Sequence, residues 1–172
     1  MTMRKTATAV CAALALAFHS SVQGIETGRS VPNCRLAPLG AEQEQELHQY
    51  LGKVLYVDFW ASWCGPCAQS FPFMNDLAGD LQSGGLQILA VNLDENREDA
   101  QAFLAQRPAN FTILADAGGK CAQDFGVQAM PSSYLVDRQG VVRHVHMGFR
   151  SGEAQEFRAL VEELLATPSA SP

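Results

Sequence analysis

The sequence has no excess of positive charge and no basic patch. Its 12 lysine and arginine residues are outnumbered by 18 aspartate and glutamate residues, which gives a formal net charge of -6. Proteins that bind nucleic acid neutralise phosphates with clustered cations, so this balance argues against nucleic acid as a partner. Acidity of this size is otherwise consistent with an ordinary soluble protein.

The chain also lacks an internal repeat and an apolar run of membrane-spanning length. Its most apolar segment, Ala7–Phe18, follows Arg4 and Lys5 and has the length of a signal-peptide core. In the following segment, 19–24, Val22 and Gly24 are small enough for a signal peptidase to accept. We therefore predict a signal peptide over residues 1–24, cleaved after Gly24, and export to a periplasm. An uncleaved membrane anchor is the alternative.

The 172 residues are about what one domain uses, and 47% hydrophobic residues suffice for one core. Apolar runs that predict strands occupy Val54–Trp60, Leu86–Leu93, 111–116, 132–137 and 141–148. Helical patterns occupy 41–51, 67–82, 96–107, 119–126 and 153–166. Strands that alternate with helices, then a hairpin and a last helix, predict an α/β fold with a central mixed sheet and helices on both faces.

Two further segments lie outside this pattern. Residues 25–40 are rich in Gly and Pro and are predicted to form an irregular N-terminal lead-in, with one short strand near Cys34. Residues 167–172 are predicted to be a disordered tail. The domain itself is expected over residues 41–166.

Cys64 and Cys67 form a C-x-x-C motif. A zinc site would need a second close pair of ligands, and Cys34 and Cys121 stand far apart in the sequence. A purely structural bridge over so small a loop would remove little entropy from the unfolded chain. A redox-active pair is the favoured interpretation, and no metal is expected.

The position of the motif supports redox chemistry. It follows a buried strand, and a helix is predicted to begin around Gly65 and Pro66. Free N–H groups at a helix N-terminus favour a thiolate, which makes Cys64 the expected attacking group. Cys67, one turn into the helix, is placed to resolve the mixed disulfide. Trp63 would give the pair a rigid, flat flank.

Two more features belong to this pattern. Asp58 stands within the apolar run before the motif, and burial of its carboxylate would raise the pKa and make it a plausible proton acceptor for Cys67. Met130–Pro131 lies between a predicted helix and a strand, where proline removes a ladder donor and can be cis.

These motifs resemble thioredoxin. The resemblance is carried by "VDFWASWCGPC", by Pro72 five residues after Cys67, by "AMPSSYLVDRQG" and by Gly148, and it covers about residues 30–166. The predicted signal and the extra segment over residues 94–116 are more similar to the TlpA/ResA branch of exported thioredoxin-like proteins. The resemblance implies a thioredoxin-like fold with an inserted helix and strand.

The family is one of thiol–disulfide oxidoreductases without a bound cofactor. The resemblance implies that Cys64 is the nucleophile, that Cys67 is the resolving thiol and that Pro131 is a cis-proline that helps to bind the substrate backbone. Trp63, Gly65, Pro66 and Met130 would complete the substrate-binding surface.

The resemblance gives two candidates for the proton acceptor. Asp58 stands where cytoplasmic thioredoxins have a buried acid, whereas many exported relatives have Asn there and rely on a Glu after the next strand. This chain has Glu95 in that second place as well. Which carboxylate exchanges the proton is left open at this stage.

The motif leaves the direction of the chemistry to be inferred. Gly-Pro between the cysteines is typical of reducing thioredoxins, so we expect a monomeric reductase of disulfides in exported proteins, with a membrane thiol reductase as electron donor. A disulfide oxidase or isomerase is the nearest alternative, and a copper-handling thiol chaperone is disfavoured by the cysteine spacing. Cys34 and Cys121 are expected to form either a second, structural disulfide or two separate buried thiols.

Overall fold

The computed structural model describes residues 24–168, which form one seven-stranded mixed sheet. Its strand order is β2-β1-β5-β4-β3-β6-β7. The strands are β1 (Arg35–Pro38), β2 (Gln45–Glu46), β3 (Val54–Trp60), β4 (Leu86–Asn92), β5 (Thr112–Ala115), β6 (Ser132–Val136) and β7 (Val142–Met147). The predicted mixed sheet is therefore present.

Four helices cover the sheet: α1 (Gly65–Leu81), α2 (Arg97–Gln106), α3 (Lys120–Phe125) and α4 (Ala154–Ala166). Buried side chains of α1, α2 and α4 share one core cluster with alternate residues of β3 and β4. Buried side chains of α3 pack on the opposite face together with the N-terminal segment. Helices thus lie on both faces, as predicted.

β3 is an interior strand of the sheet, and every one of its seven residues is buried. It pairs in parallel with β4 and antiparallel with β6, so both of its edges are covered. A strand enclosed on both edges and both faces needs a nearly continuous apolar sequence. Asp58, in the middle of β3, is therefore in an unusual position for a carboxylate.

The inserted segment consists of α2 and β5. β5 pairs in parallel with β4 and antiparallel with β1, so it joins the lead-in strand to the rest of the sheet. Phe103 of α2 lies 4.9 Å from the Trp60 ring and 5.0 Å from the Phe71 ring, measured between centroids. The insertion therefore completes the core beside the helix that begins at the C-x-x-C motif.

The predicted helix over residues 41–51 is wrong. Gln45 and Glu46 form β2, which pairs antiparallel with β1, and only Leu47–Tyr50 forms a short 3₁₀ helix. The Leu47 N–H donates to the Cys34 carbonyl at 2.9 Å, and the Leu47 side chain is fully buried. Pairing with a distant segment thus prevails over the local helical pattern.

Other boundaries match within a few residues. α1 continues through Pro72 up to Leu81. Within residues 24–168, no helix combines the length and apolar character that a membrane crossing requires. The signal peptide predicted before Gly24 and the last residues of the tail, 169–172, lie outside the described part of the chain.

Candidate active site

Cys64 and Cys67 are joined by a disulfide at the start of α1, with their Cα atoms 5.2 Å apart. Cys64 is the N-cap of the helix, and its Sγ accepts a hydrogen bond from the Cys67 N–H at 3.2 Å. Pro66 occupies the first turn, where a missing N–H costs no helical hydrogen bond. The helix N-terminus is thus directed at the Cys64 sulfur, which favours a thiolate there once the bond is reduced.

The two sulfurs differ in environment. Cys64 is 5% exposed, whereas Cys67 is fully buried. Gly65, Pro66 and Trp63 around them are exposed, and Trp63 reaches 72% exposure. A large indole left in solvent beside a buried disulfide gives the site an apolar contact surface.

Met130–Pro131 is a cis peptide bond, in agreement with the resemblance. Met130 is half-buried and packs against the same cluster that contains Cys64 and Cys67. The Pro131 carbonyl accepts a hydrogen bond from the Gly148 N–H at 2.8 Å, which ties this loop to the end of β7. The structure thus brings the proline loop and the cysteine pair into one region.

Asp58 is fully buried on the face of β3 that carries Tyr56 and Trp60. Burial raises the pKa of Asp58 from 3.8 to about 7, and a hydrogen bond from Ser133 opposes part of that rise. Ser133 Oγ donates to Asp58 Oδ1 at 2.5 Å. Cys67 is buried in the cluster that covers the same face, so a proton acceptor poised near neutrality lies on the side of the sheet that carries the resolving cysteine.

Two buried polar atoms on this face have no hydrogen-bond partner among residues 24–168: Asp58 Oδ2 and Trp60 Nε1. Native interiors rarely leave polar atoms unpaired, and those that remain often mark function. Asp58 Oδ2 is therefore the oxygen that is free to receive a proton.

Glu95, the second candidate acid, has a different environment. It is exposed in the loop directly after β4. Its neighbour Asp94 is only 6% exposed. Sequence reasoning missed Asp94, because in the sequence it resembles any other loop carboxylate. The geometry therefore distinguishes two adjacent acids that the sequence does not.

Asp94 holds the loop that leads into the cysteine pair. Its carboxylate accepts from the Ser62 N–H at 2.9 Å, from the Ser62 hydroxyl at 3.0 Å and from Asn92 Nδ2 at 2.8 Å. The Cys64 N–H closes the same turn by donating to the Ala61 carbonyl at 3.1 Å. An acidic side chain at the carboxyl end of β4 thus fixes the turn two residues before Cys64.

Cys34 and Cys121 are joined by a second disulfide, the first of the two arrangements that the sequence leaves open. Cys34 directly precedes β1, and Cys121 lies in α3. A hydrogen bond of 2.9 Å from the Ile25 N–H to the Phe125 carbonyl fastens the same N-terminal segment to the end of α3. The lead-in is therefore attached covalently and by hydrogen bonds to the helix that precedes the proline loop.

Comparison with known proteins agrees with this geometry. The Redoxin family model matches residues 26–163. Thiol-disulfide oxidoreductase ResA of Bacillus cereus is 30% identical over 139 residues, which are 81% of this chain and 80% of ResA. Thiol:disulfide interchange protein HelX of Rhodobacter capsulatus is 40% identical over 117 residues, which are 66% of this chain and 63% of HelX.

A solved structure shows the same fold. A Chlorobium tepidum protein described as a thiol:disulfide interchange protein DsbE superposes with a TM-score of 0.79 at 40% identity, over 83% of this chain and 100% of that one. This confirms the predicted thioredoxin-like α/β class. The chain belongs to the Redoxin family and is a thiol–disulfide oxidoreductase of the TlpA/ResA type.

Proposed function

We propose that this oxidoreductase reduces disulfides in exported proteins, working in the periplasm through Cys64 and Cys67. The observation that carries the proposal is the combination of a cysteine sulfur at a helix N-terminus with a buried acid, Asp58, on the face of the sheet that its partner Cys67 covers. The first group suits attack on a disulfide, and the second suits proton removal from a buried thiol.

The first step is attack by the Cys64 thiolate on one sulfur of a substrate disulfide. A Cys64–substrate disulfide forms, the substrate disulfide breaks, and the other substrate sulfur leaves as a thiolate that takes a proton from solvent. Trp63 and Met130 would hold the apolar parts of the substrate beside Cys64, since both lie at the edge of the site.

The second step resolves this intermediate. Cys67 transfers its proton to Asp58 Oδ2, and the resulting thiolate attacks Cys64 Sγ. The Cys64–Cys67 disulfide forms as the mixed disulfide breaks, and the second substrate thiolate leaves and is protonated. We assign the proton to Asp58 rather than Glu95 because Asp58 shares the buried face with Cys67, whereas Glu95 is exposed.

Each turnover consumes two electrons and two protons, so a dithiol must reduce the Cys64–Cys67 bond again. In an oxidising compartment this donor has to receive its electrons from elsewhere, and a membrane thiol reductase meets that requirement. The Gly65-Pro66 pair between the cysteines favours this direction over oxidation or isomerisation of substrates.

The mixed disulfide can be trapped. Reduced Cys67→Ser protein retains the attacking thiol and has no resolving thiol, so it should accumulate a covalent complex with insulin that dithiothreitol releases. The matched variant Cys64→Ser retains only the buried sulfur and should form none. Equal trapping by both variants, or trapping by neither, would contradict the assignment of the two cysteines.

A further inference from the structure

The carboxylate of Asp58 is held by a residue on the neighbouring strand. Ser133 is its direct register partner across the antiparallel β3–β6 ladder, so the backbone places the two side chains together. The hydroxyl of Tyr56 lies 3.3 Å from Ser133 Oγ. All three side chains are buried, and together they form a short polar chain inside an otherwise apolar layer.

The chemistry of these three side chains determines which of them donates each hydrogen bond. An ionised carboxylate only accepts hydrogen bonds, so the single Ser133 proton is donated to Asp58. The Ser133 oxygen is then free to accept the proton of Tyr56. Burial, followed by the charge of Asp58, raises the pKa of Tyr56 well above its ordinary value, so this hydroxyl remains a donor.

Among residues 24–168, few other titratable groups face Asp58. On β4 its register partner is Ala90, and α2 contributes uncharged residues to this layer. α1 brings Cys64 and Cys67, which are bonded and do not titrate in the oxidised protein.

The histidines on this face belong to β7, which lies one strand beyond β6. His146 on β7 is the register partner of Ser133 and lies 3.3 Å from Glu153, and the Phe157 ring of α4 packs against both His146 and Tyr56. On the described part of the chain, Ser133 is the one side chain that hydrogen-bonds the Asp58 carboxylate.

We propose that Ser133 is a positioning residue for the reaction: its hydroxyl fixes Asp58 Oδ1, stabilises the ionised acid and leaves Oδ2 to receive the Cys67 proton. Tyr56 fixes Ser133 in turn. The inference rests on the proposed function, in which Asp58 takes that proton. It adds that the pH at which the acid becomes competent is set from β6, by a residue outside the C-x-x-C motif.

The test begins with a measurement that needs no substrate. Carboxyl-carbon NMR of the oxidised protein follows the titration of Asp58 directly. Ser133→Ala removes the hydrogen bond to the charged form, so the midpoint should rise by about one pH unit. Ser133→Thr keeps the hydroxyl and should restore the wild-type midpoint. Tyr134→Phe removes another buried β6 hydroxyl, on the opposite face, and should leave the midpoint unchanged.

The second measurement follows the reaction. Reduced protein mixed with dithiobis-nitrobenzoate releases one coloured thiol when Cys64 attacks and another when Cys67 resolves the intermediate. The pH profile of the second release should move with the Asp58 midpoint, which makes Ser133→Ala about tenfold slower below it. Asp58→Asn should remove the inflection at the Asp58 midpoint and leave only the ionisation of the Cys67 thiol itself.

The two possible failures are distinguishable. An unchanged Asp58 midpoint in Ser133→Ala would overturn the role of Ser133, whatever the enzyme does to its substrates. A midpoint that moves while the rate profile of resolution stays in place would overturn the role of Asp58, and with it the use of Ser133 in the reaction.

Discussion

At the scale of single residues, the carboxylate of Asp58 is enclosed in an interior strand of the sheet. The pKa of Asp58 is about 7 in the fold against 3.8 ordinarily, because burial disfavours its charge. A raised pKa means that the folded protein binds this proton more tightly than the unfolded chain does. The contribution of the Asp58 proton to the free energy of unfolding is therefore complete below about pH 4 and is lost as the pH rises through about 7.

We predict that the free energy of unfolding of the oxidised protein falls by about 4 kcal/mol between those limits on account of Asp58. Asp58→Asn should flatten this part of the profile and be more stable than the wild type at pH 8, as urea unfolding at a series of pH values would measure. Asp76→Asn, which changes an exposed aspartate of α1, should retain the slope. A wild-type profile without this slope would contradict the burial of a titrating acid.

The other residue-scale prediction concerns Asp94. Asp94→Ala leaves the Ser62 N–H and the Asn92 amide without their acceptor, which should cost about 3 kcal/mol of stability and slow the attack by Cys64. Ser62→Ala is the matched control, because it removes only the hydroxyl donor and should cost about 1 kcal/mol. Urea unfolding measures the loss of stability, and the rate of the first thiol release from dithiobis-nitrobenzoate measures the attack by Cys64. Equal losses in the two variants would show that Asp94 does not hold the turn.

At the scale of elements, the inserted α2 is part of the core of the site. Phe103 packs against Trp60 and Phe71, so its removal leaves a cavity behind the cysteine pair. We predict that Phe103→Ala lowers the free energy of unfolding by about 3 to 5 kcal/mol, measured in urea. Gln101→Ala, on the exposed side of the same helix, should change it little. A small effect of Phe103→Ala would mean that α2 docks only loosely.

The elements also show where sequence reasoning is sufficient. β3 and the C-x-x-C helix are predictable because a buried strand needs continuous apolar residues and a helix start has its own local signals. β2 is not predictable in this way, because residues 45–46 become a strand only by pairing with β1.

The same limit applies to the site. The cysteine pair, Asp58 and the proline loop stand in recognisable local motifs. The hydrogen-bond partners of the two acids do not stand in such motifs. Ser133 is 75 residues from Asp58 in the sequence, and Ser62 is 32 residues from Asp94. Such contacts arise from the register and order of the strands, which no local pattern specifies.

At the scale of the whole molecule, a second disulfide fastens the lead-in to the domain. Cys34 and Cys121 are separated by 87 residues, and a bond across so long a loop restricts the unfolded chain strongly. We predict that the double variant Cys34→Ser/Cys121→Ser loses about 2 to 5 kcal/mol of stability in urea. The potential of the Cys64–Cys67 pair should not change, and a large shift would show that the second disulfide also tunes the active pair.

The reduction potential of the Cys64–Cys67 pair tests whether this pair is a reductant. The purified protein would be equilibrated in thiol–disulfide buffers and the Cys64 and Cys67 thiols trapped by alkylation. Thioredoxin has a potential of about -270 mV and a strong periplasmic oxidant about -120 mV. We predict a value near that of thioredoxin. A value near that of the strong periplasmic oxidant would contradict the proposed reductase function and make this protein a donor of disulfides.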